Sequence, residues 1–168
     1  MKDQSFEIKV WDLLNQVAVD EIIFENKRTN LIPNITDDWV SGKIKLSWID
    51  NENVLVEIEE LKCELNEICD CCTTSFKRKI EIHGYSSRFT INKDEINYAN
   101  DEVLFFIDEK TATINVEELI YQAVEIERPF VLYCSNCEKN HKNLYEDNSE
   151  EYELDTDEEY GWNIVFHK

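Results

Sequence analysis

Two Cys-x-x-Cys pairs carry the side chains in this sequence that are best suited to chemistry. The first pair is Cys69 and Cys72, in the stretch CDCC, and the second is Cys134 and Cys137, in the stretch CSNC. Each pair can present two sulfurs to one ion, and together they supply the four thiolates of a tetrahedral site, which zinc usually occupies. We therefore expect a structural Zn²⁺ ion bound by Cys69, Cys72, Cys134 and Cys137.

The choice of ligands has two alternatives in the sequence itself. Cys71 competes with Cys72, because it also lies close enough to Cys69 to share an ion. His141 follows Cys137 by four residues and could replace one of the thiolates, since imidazole is also a common zinc ligand. The sixth cysteine, Cys63, is interpreted as a buried residue of a strand.

Two further interpretations of the cysteines remain open. They could be reduced thiols in a domain that folds without metal, or one pair could be a redox site. Redox pairs usually lie at a helix N-terminus, which lowers the thiol pKa. Neither pair is predicted to open a helix, so the sequence favours metal binding over redox chemistry.

The elements that must position these cysteines are predicted from hydrophobic periodicity. Residues 43–48 and 54–59 alternate between apolar and polar types on either side of a turn-rich stretch, which is typical of a β-hairpin. The second strand runs on towards the first cysteine pair. After Cys72 another strand begins, with Ile80 and Ile82 towards the core and the strand continuing to residue 91.

One helix is well defined and leads directly to the second cysteine pair. It is predicted over residues 116–128, with Asn115 as the N-cap and Pro129 ending it. A shorter amphipathic helix is predicted within residues 6–17. Strands are expected over 18–25, over the apolar run 103–107, and briefly over 111–114.

Together these elements predict an α+β fold. It comprises a curved antiparallel β-sheet of about six strands, one well-defined helix packed on it, and a short N-terminal helix. Residues 1–143 are predicted to form a single domain that contains both cysteine pairs. Residues 144–168 are predicted to be a separate acidic C-terminal segment with an apolar end, because residues 144–160 hold nine acidic and no basic residues.

The charge of the chain restricts its partners. It has 17 Lys and Arg against 37 Asp and Glu, a formal net charge of −20. Such a chain is repelled by the phosphates of nucleic acid except where basic residues cluster, and it favours basic protein partners. The densest basic cluster is Lys77, Arg78 and Lys79, with Arg88 further along. These residues could contact RNA or a partner, or they could be a solvated strand face paired with acidic neighbours.

The sequence also indicates a compartment. No apolar run approaches the length that crosses a bilayer, and the first residues lack the apolar core of a secretory signal. Six cysteines in such a chain favour reduced thiols or metal ligands over disulfides. We therefore expect a cytoplasmic protein with no membrane partner.

The stretch CDCCTTSF, residues 69–76, resembles the Cys-x-Arg-Cys-x-x-x-Phe signature of the YceD family, the large ribosomal RNA subunit accumulation proteins. The alternating strand before it lies where that family has one. INVEELI, residues 114–120, and the following residues to Pro129 are similar to the family's Ile-Asp-Leu helix that ends in proline. The second cysteine pair falls where many members carry further cysteines. The chain departs from the pattern at Cys71, where the family usually has arginine.

The resemblance implies a non-enzymatic ribosome-biogenesis factor that is needed for the accumulation and processing of 23S rRNA. Its partner would be a large-subunit precursor, rRNA or a basic ribosomal protein, with no small-molecule substrate. No catalytic residues are implied, and the sequence offers no nucleophile, general base or phosphate-binding loop at a motif spacing.

Two alternatives belong to other functional classes. One is a zinc-stabilised acidic protein-interaction module unrelated to ribosomes, and the other is a thiol-dependent enzyme. Co-sedimentation with large-subunit precursors would favour the assembly factor, whereas activity that is lost when single cysteines are replaced would favour the enzyme.

Overall fold

A long two-stranded ribbon runs through the sheet and ends at the first cysteine pair. The structure is a computed structural model that describes residues 6–36, 39–93 and 104–146, without the side chains of 104 and 141–146. In it, β4 (Asn53–Ile68) pairs antiparallel first with β6 (Tyr85–Thr90) and then with β5 (Ser75–Ile82). β5 and β6 follow each other along the same side of β4. Residues 69–74 connect β4 to β5 and so form the tip of the hairpin made by these two strands. We call residues 69–74 the hairpin tip.

The ribbon changes face halfway along its length. The buried positions of β4 are Val54, Val56 and Ile58 in the first half, and odd-numbered residues from Leu61 onwards in the second. Opposite this change, Gly84 has φ +80 between β5 and β6, a conformation that favours glycine. The change keeps apolar side chains on the core side of both halves, so Cys69 arrives on the buried face.

The remaining strands extend the sheet on both sides of the ribbon. On one side, β3 (Trp39–Trp48) pairs with β4, and β2 (Val19–Arg28) pairs with β3. On the other side, β7 (Leu104–Phe106) pairs with β6, as the single parallel pairing among the described strands. A separate two-stranded sheet joins β1 (Glu7–Lys9) to β8 (Thr113–Asn115).

Three helices complete the described structure: α1 (Trp11–Asn15), α2 (Glu117–Glu127) and α3 (Ser135–Glu146). The α+β fold class and the six-stranded sheet are therefore confirmed. The N-terminal helix is shorter than predicted, because residues 7–9 pair with β8 as a strand. None of the helices in the described ranges is both long enough and apolar enough to cross a membrane.

The hydrophobic core lies between one face of the sheet and the helices α1 and α2. Leu13 and Leu14 of α1 are buried, and α1 contacts β3 and β4 while α2 contacts β5. The buried side chains of α2 are Leu119, Ile120, Ala123 and Val124. Burying each large aliphatic side chain of this kind contributes about 1.5–3 kcal/mol, so α2 is held firmly on the strand that leads from the hairpin tip.

The N-terminus of α2 lies one residue after the predicted N-cap, since Val116 and not Asn115 occupies the N-cap position. Asn115 Oδ1 accepts a hydrogen bond from the backbone N–H of Glu117 at 2.9 Å, and helical residues begin at Glu117. The first turn also carries Glu117 and Glu118, which the positive end of the helix dipole favours. The predicted boundaries of this helix therefore agree with the observed ones to within a residue.

The chain divides into two compact units, Met1–Cys134 and Ser135–Lys168. The first contains the strands, α1 and α2. The described part of the second is α3, which continues past residue 143, where the sequence places a boundary. Residues 147–168, most of the predicted acidic segment, lie outside the described part of the chain.

Candidate metal centre

The hairpin tip folds so that its backbone surrounds one sulfur. The N–H of Thr73 donates to the Cys69 carbonyl at 2.9 Å, and the N–H of Cys69 donates to the Thr74 carbonyl at 3.0 Å. Thr73 has φ 59, in the left-handed region that a β-branched residue rarely adopts. The tight turn places the backbone N–H groups of Cys71 and Cys72 on the Cys69 sulfur.

Cys69 is a buried thiol whose surroundings favour the thiolate. The backbone N–H of Cys134 donates to its sulfur at 3.3 Å. That hydrogen bond is the largest cause of the lowered pKa of Cys69. Burial raises the pKa, but hydrogen bonds from Cys72 and Cys71 lower it further, and the pKa of Cys69 falls to about 6. Because the Cys69 side chain is fully buried, its thiolate needs hydrogen bonds or a neighbouring cation to be stable there.

The segment that carries Cys134 is held against the hairpin tip by backbone and side-chain hydrogen bonds. The N–H of Asp70 donates to the Leu132 carbonyl at 2.8 Å, and the N–H of Leu132 donates to Asp70 Oδ2 at 2.6 Å. Arg78 Nη2 donates to the Tyr133 carbonyl at 3.3 Å. These bonds fix Cys134 beside Cys69 without any contribution from a metal.

A buried ion pair supports the same junction from within. Arg128, which follows the last residue of α2, binds Glu67 of β4 through two contacts, Nε to Oε1 at 2.8 Å and Nη2 to Oε2 at 2.9 Å. The Glu67 side chain is 1% exposed, so its charge depends on this partner. The pair lies two residues before the first cysteine pair and six before the second.

The four predicted ligands lie together. The sulfur atoms of Cys69, Cys72, Cys134 and Cys137 all lie within 4.8 Å of one another, and we call them the four-cysteine cluster. The Cys72 and Cys134 sulfurs are 3.7 Å apart. The six cysteines all lie within the described residues, and they form no disulfide bond there.

The geometry of the cluster fits a tetrahedral ion. Zinc–sulfur bonds of about 2.3 Å at tetrahedral angles separate the sulfurs by about 3.8 Å. The Cys72–Cys134 separation matches that value, and the 4.8 Å limit on the other pairs leaves a small contraction on binding. The four-cysteine cluster can therefore hold a metal ion.

The alternative ligands have different surroundings. Cys71 is exposed and stands outside the four-cysteine cluster, although it belongs to the same hairpin tip. Cys63 is buried in the core, and burial raises the pKa of its thiol to about 11, so it is a neutral core residue as predicted. His141 lies within α3, but its side chain is outside the described residues.

One step of the reasoning from sequence is wrong. The second pair does open a helix, since α3 begins at Ser135 and Cys137 lies in its first turn. Helix N-termini favour thiolates, so this feature assists metal binding as well as redox chemistry. The stretch SNCEKNHKNL has few apolar residues and no regular stripe, which is why its periodicity does not predict a helix.

Glu67, Arg128 and Asp70 also support the site, and the sequence does not single them out. A signal for Glu67 exists: it shares the parity of the buried residues Leu65 and Cys69, so its carboxylate falls on the core face and needs a cationic partner. Nothing in the sequence identifies Arg128 as that partner.

The basic cluster is not gathered on one face. Lys77 and Lys79 point away from the core, and Lys77 binds Glu64 at 2.9 Å. Arg78 points the other way, over the Phe76 ring and towards Tyr133. Arg88 lies on β6 opposite Leu55, roughly 30 Å along the ribbon at about 3.3 Å per residue.

Comparison of the chain with protein-family models, with curated proteins and with solved structures gives no match.

Proposed function

We propose that this chain is a non-enzymatic binding factor in ribosome biogenesis, with a structural zinc ion in the four-cysteine cluster. The observation that carries the proposal is the meeting of two sequence segments at that cluster. Residues 69–76, which resemble the YceD signature, form the hairpin tip and the start of β5. The helix that resembles the family's second motif is α2, and the residues after it, from Pro129 onwards, lead to Cys134. The two segments that carry the resemblance therefore belong to one structural unit.

The choice of zinc rests on the donor set. Four thiolates in a tetrahedral arrangement favour zinc or an iron–sulfur centre over magnesium or calcium, which prefer oxygen ligands. Four protein ligands also leave no open position for a water or substrate, as in structural zinc sites. The zinc ion would hold the hairpin tip to the residues after α2 and would take no part in a reaction.

The charge of the chain guides the choice of partner. A net charge of −20 favours a basic ribosomal protein or a basic assembly factor over bare rRNA. Lys77 and Lys79 are both exposed on the outer face of β5, and Lys79 would supply the main local phosphate contact because Lys77 already binds Glu64. Arg78 would contribute less, since it already binds the Tyr133 carbonyl.

Gradient sedimentation of cell lysate tests the ribosomal role. We expect the wild-type chain in the large-subunit precursor fractions and expect 23S rRNA to decrease when the chain is depleted. Its absence from those fractions would refute the ribosomal role and support an acidic interaction module of another kind.

A nuclease-treated pull-down then tests the class of partner. We expect a basic protein to remain bound after RNA is digested. Recovery of protected RNA without any basic protein would show instead that the chain binds rRNA directly.

A further inference from the structure

The exposed side of α2 and the residues after it form a surface with a distinct character. Along α2, Glu118, Gln122 and Ile126 follow one another at four-residue spacing, and Glu118 and Ile126 are exposed while Gln122 is half-buried. Beyond the helix, Phe130 and Val131 are exposed, Phe130 completely. We define the α2 surface by six residues: Glu118, Gln122, Glu125, Ile126, Phe130 and Val131.

The apolar side chains of this surface are unusual for their exposure. Ile126 is 68% exposed, Phe130 is fully exposed and Val131 is 46% exposed, and all three fall within six consecutive residues. Pro129 and the bonds between Asp70 and Leu132 fix the backbone on which they stand. A fixed cluster of exposed apolar side chains is typical of an interaction site.

The charge of the α2 surface has one sign. Residues 111–127 contain four glutamates and no lysine or arginine. The neighbouring cation, Arg128, is neutralised by Glu67 at 2.8 Å and by Glu125 at 3.6 Å. The surface is therefore acidic with an apolar end.

The opposite face of the sheet differs in this respect. There the lysines are interleaved with glutamates: Lys43 binds Glu21 and Glu59, and Lys77 binds Glu64. In these pairs the charges offset one another, whereas residues 111–127 carry no lysine or arginine. The acidic excess that could select a basic partner is present on the α2 surface.

We propose that the α2 surface binds a lysine- or arginine-rich segment of a partner protein that carries large apolar side chains. The glutamates attract the basic residues, and Ile126 and Phe130 receive the apolar ones. This inference deepens the proposed function, on which it rests, by assigning the surface that would hold a basic ribosomal protein. Charge alone would give weak, salt-sensitive binding, so the apolar contacts supply the specificity.

Titration with a labelled peptide of repeated Lys-Lys-Leu tests the inference on the full chain. Two control peptides separate the contributions: Lys-Lys-Ser repeats keep the charge, and Glu-Glu-Leu repeats keep the apolar residues. We expect the Lys-Lys-Leu peptide to bind about tenfold more tightly than the Lys-Lys-Ser peptide, as burial of a few apolar side chains predicts. We expect no binding of Glu-Glu-Leu. Equal affinity for the first two peptides would overturn the proposal.

Matched variants locate the site. Ile126→Ser and Phe130→Ser should each weaken binding of the Lys-Lys-Leu peptide about tenfold, since each removes an apolar contact made on binding. Ile23→Ser is the control, because Ile23 is 71% exposed on β2 and lies on the face of that strand opposite the buried Phe24. The proposal is wrong if the two α2-surface variants bind like the wild type, or if Ile23→Ser weakens binding as much.

The same variants distinguish a failure of the α2-surface proposal from a failure of the proposed function. If wild-type chain and Phe130→Ser enter the precursor fractions equally and bind the peptide equally, the surface is wrong while the ribosomal role stands. If the wild type is absent from those fractions but the peptide results are as expected, the ribosomal role is wrong and the surface stands.

Discussion

At the scale of single residues, the cysteines divide by environment more sharply than by sequence position. Cys69 and Cys63 are both buried. Backbone N–H groups lower the pKa of Cys69 to about 6, whereas burial alone raises the pKa of Cys63 to about 11. Cys71 is exposed between two members of the cluster. One stretch of chain therefore contains a candidate metal ligand, a neutral core residue and a solvent-facing thiol.

Metal content should distinguish these residues. We expect Cys72→Ser and Cys137→Ser each to lose the bound zinc when the protein is purified without chelator, because three thiolates hold the ion much more weakly than four. Cys71→Ser is the matched control and should retain it. Elemental analysis of the purified variants measures this. Zinc retained by either of the first two variants would refute the shared site.

The protonation of Cys69 makes a second prediction. At a pH above 9.0, the ordinary pKa of a cysteine thiol, the Cys69 thiolate contributes fully to the stability of the metal-free fold. That contribution declines as the pH falls and is lost below the lowered pKa of about 6. We expect ultraviolet thiolate absorbance of metal-free protein to show a step near pH 6 that Cys69→Ser removes. Cys63→Ser should leave that step in place. A step that persists in Cys69→Ser would assign it to another thiol.

Individual residues of the site were predicted correctly where the residue type alone indicates metal binding. Two Cys-x-x-Cys pairs were enough to identify four sulfurs that lie together. The supporting groups were harder to predict, because Asp70 and Arg128 act through contacts with residues about 60 positions away. Such contacts depend on the register of the folded chain, which the local pattern does not contain.

At the scale of elements, the junction between β4 and α2 rests on the pair of Glu67 and Arg128. Glu67→Gln should lower the free energy of unfolding by about 3 kcal/mol, because it leaves the arginine without its buried partner. Glu64→Gln is the comparison, since Glu64 binds the exposed Lys77 and should cost less than about 1 kcal/mol. Urea denaturation measures both. Equal small losses of unfolding free energy in the two variants would mean that water compensates Arg128 fully for the loss of the Glu67 carboxylate.

The hairpin tip offers an opposite test, in which a substitution should stabilise. Thr73 adopts φ 59, and glycine reaches that region without the steric cost that threonine bears. We expect Thr73→Gly to raise stability by about 1 kcal/mol, less whatever is lost with the hydrogen bond from Thr73 Oγ1 to the Cys72 carbonyl. Thr74→Gly lacks this benefit and should destabilise. The same denaturation experiment decides between them.

Elements with regular patterns were predicted, and those set by their neighbours were not. Alternation identified β3 and β4, and an N-cap with a following proline identified α2. The change of face between Ile58 and Leu61 is absent from the prediction, since it coincides with a register shift in the pairing of β3 with β4, where Lys43 lies opposite Glu60 and Ile44 opposite Ile58. α3 lacks an apolar stripe, so its sequence gave no helical signal.

At the scale of the molecule, the core and the four-cysteine cluster are separate parts of the fold. The core between the sheet, α1 and α2 buries side chains far from the hairpin tip, such as Leu13 and Phe89. The cluster links positions 62 residues apart in the chain. Metal should therefore strengthen a fold that already exists, unlike in short zinc fingers.

Removal of metal by a chelator tests this division. We expect the β-sheet signal in circular dichroism to persist, because the core does not include the ion. The free energy of unfolding should fall by about 4 kcal/mol, the loop-closure term for a cross-link of this span. Loss of the sheet signal on chelation would show that the ion is required for folding.

The distance between the two cysteine pairs along the chain also has a consequence during synthesis. Cys69 and Cys72 leave the ribosome before Cys134 and Cys137 exist, and at about 5–20 residues per second the interval is roughly 3–12 seconds. The first pair spends that interval as an incomplete ligand set, at the tip of a hairpin whose second strand, β5, is completed within the interval. Zinc added during translation can therefore be held at full strength only after residue 137 has emerged, so closure of the cluster marks the completion of the β-sheet domain.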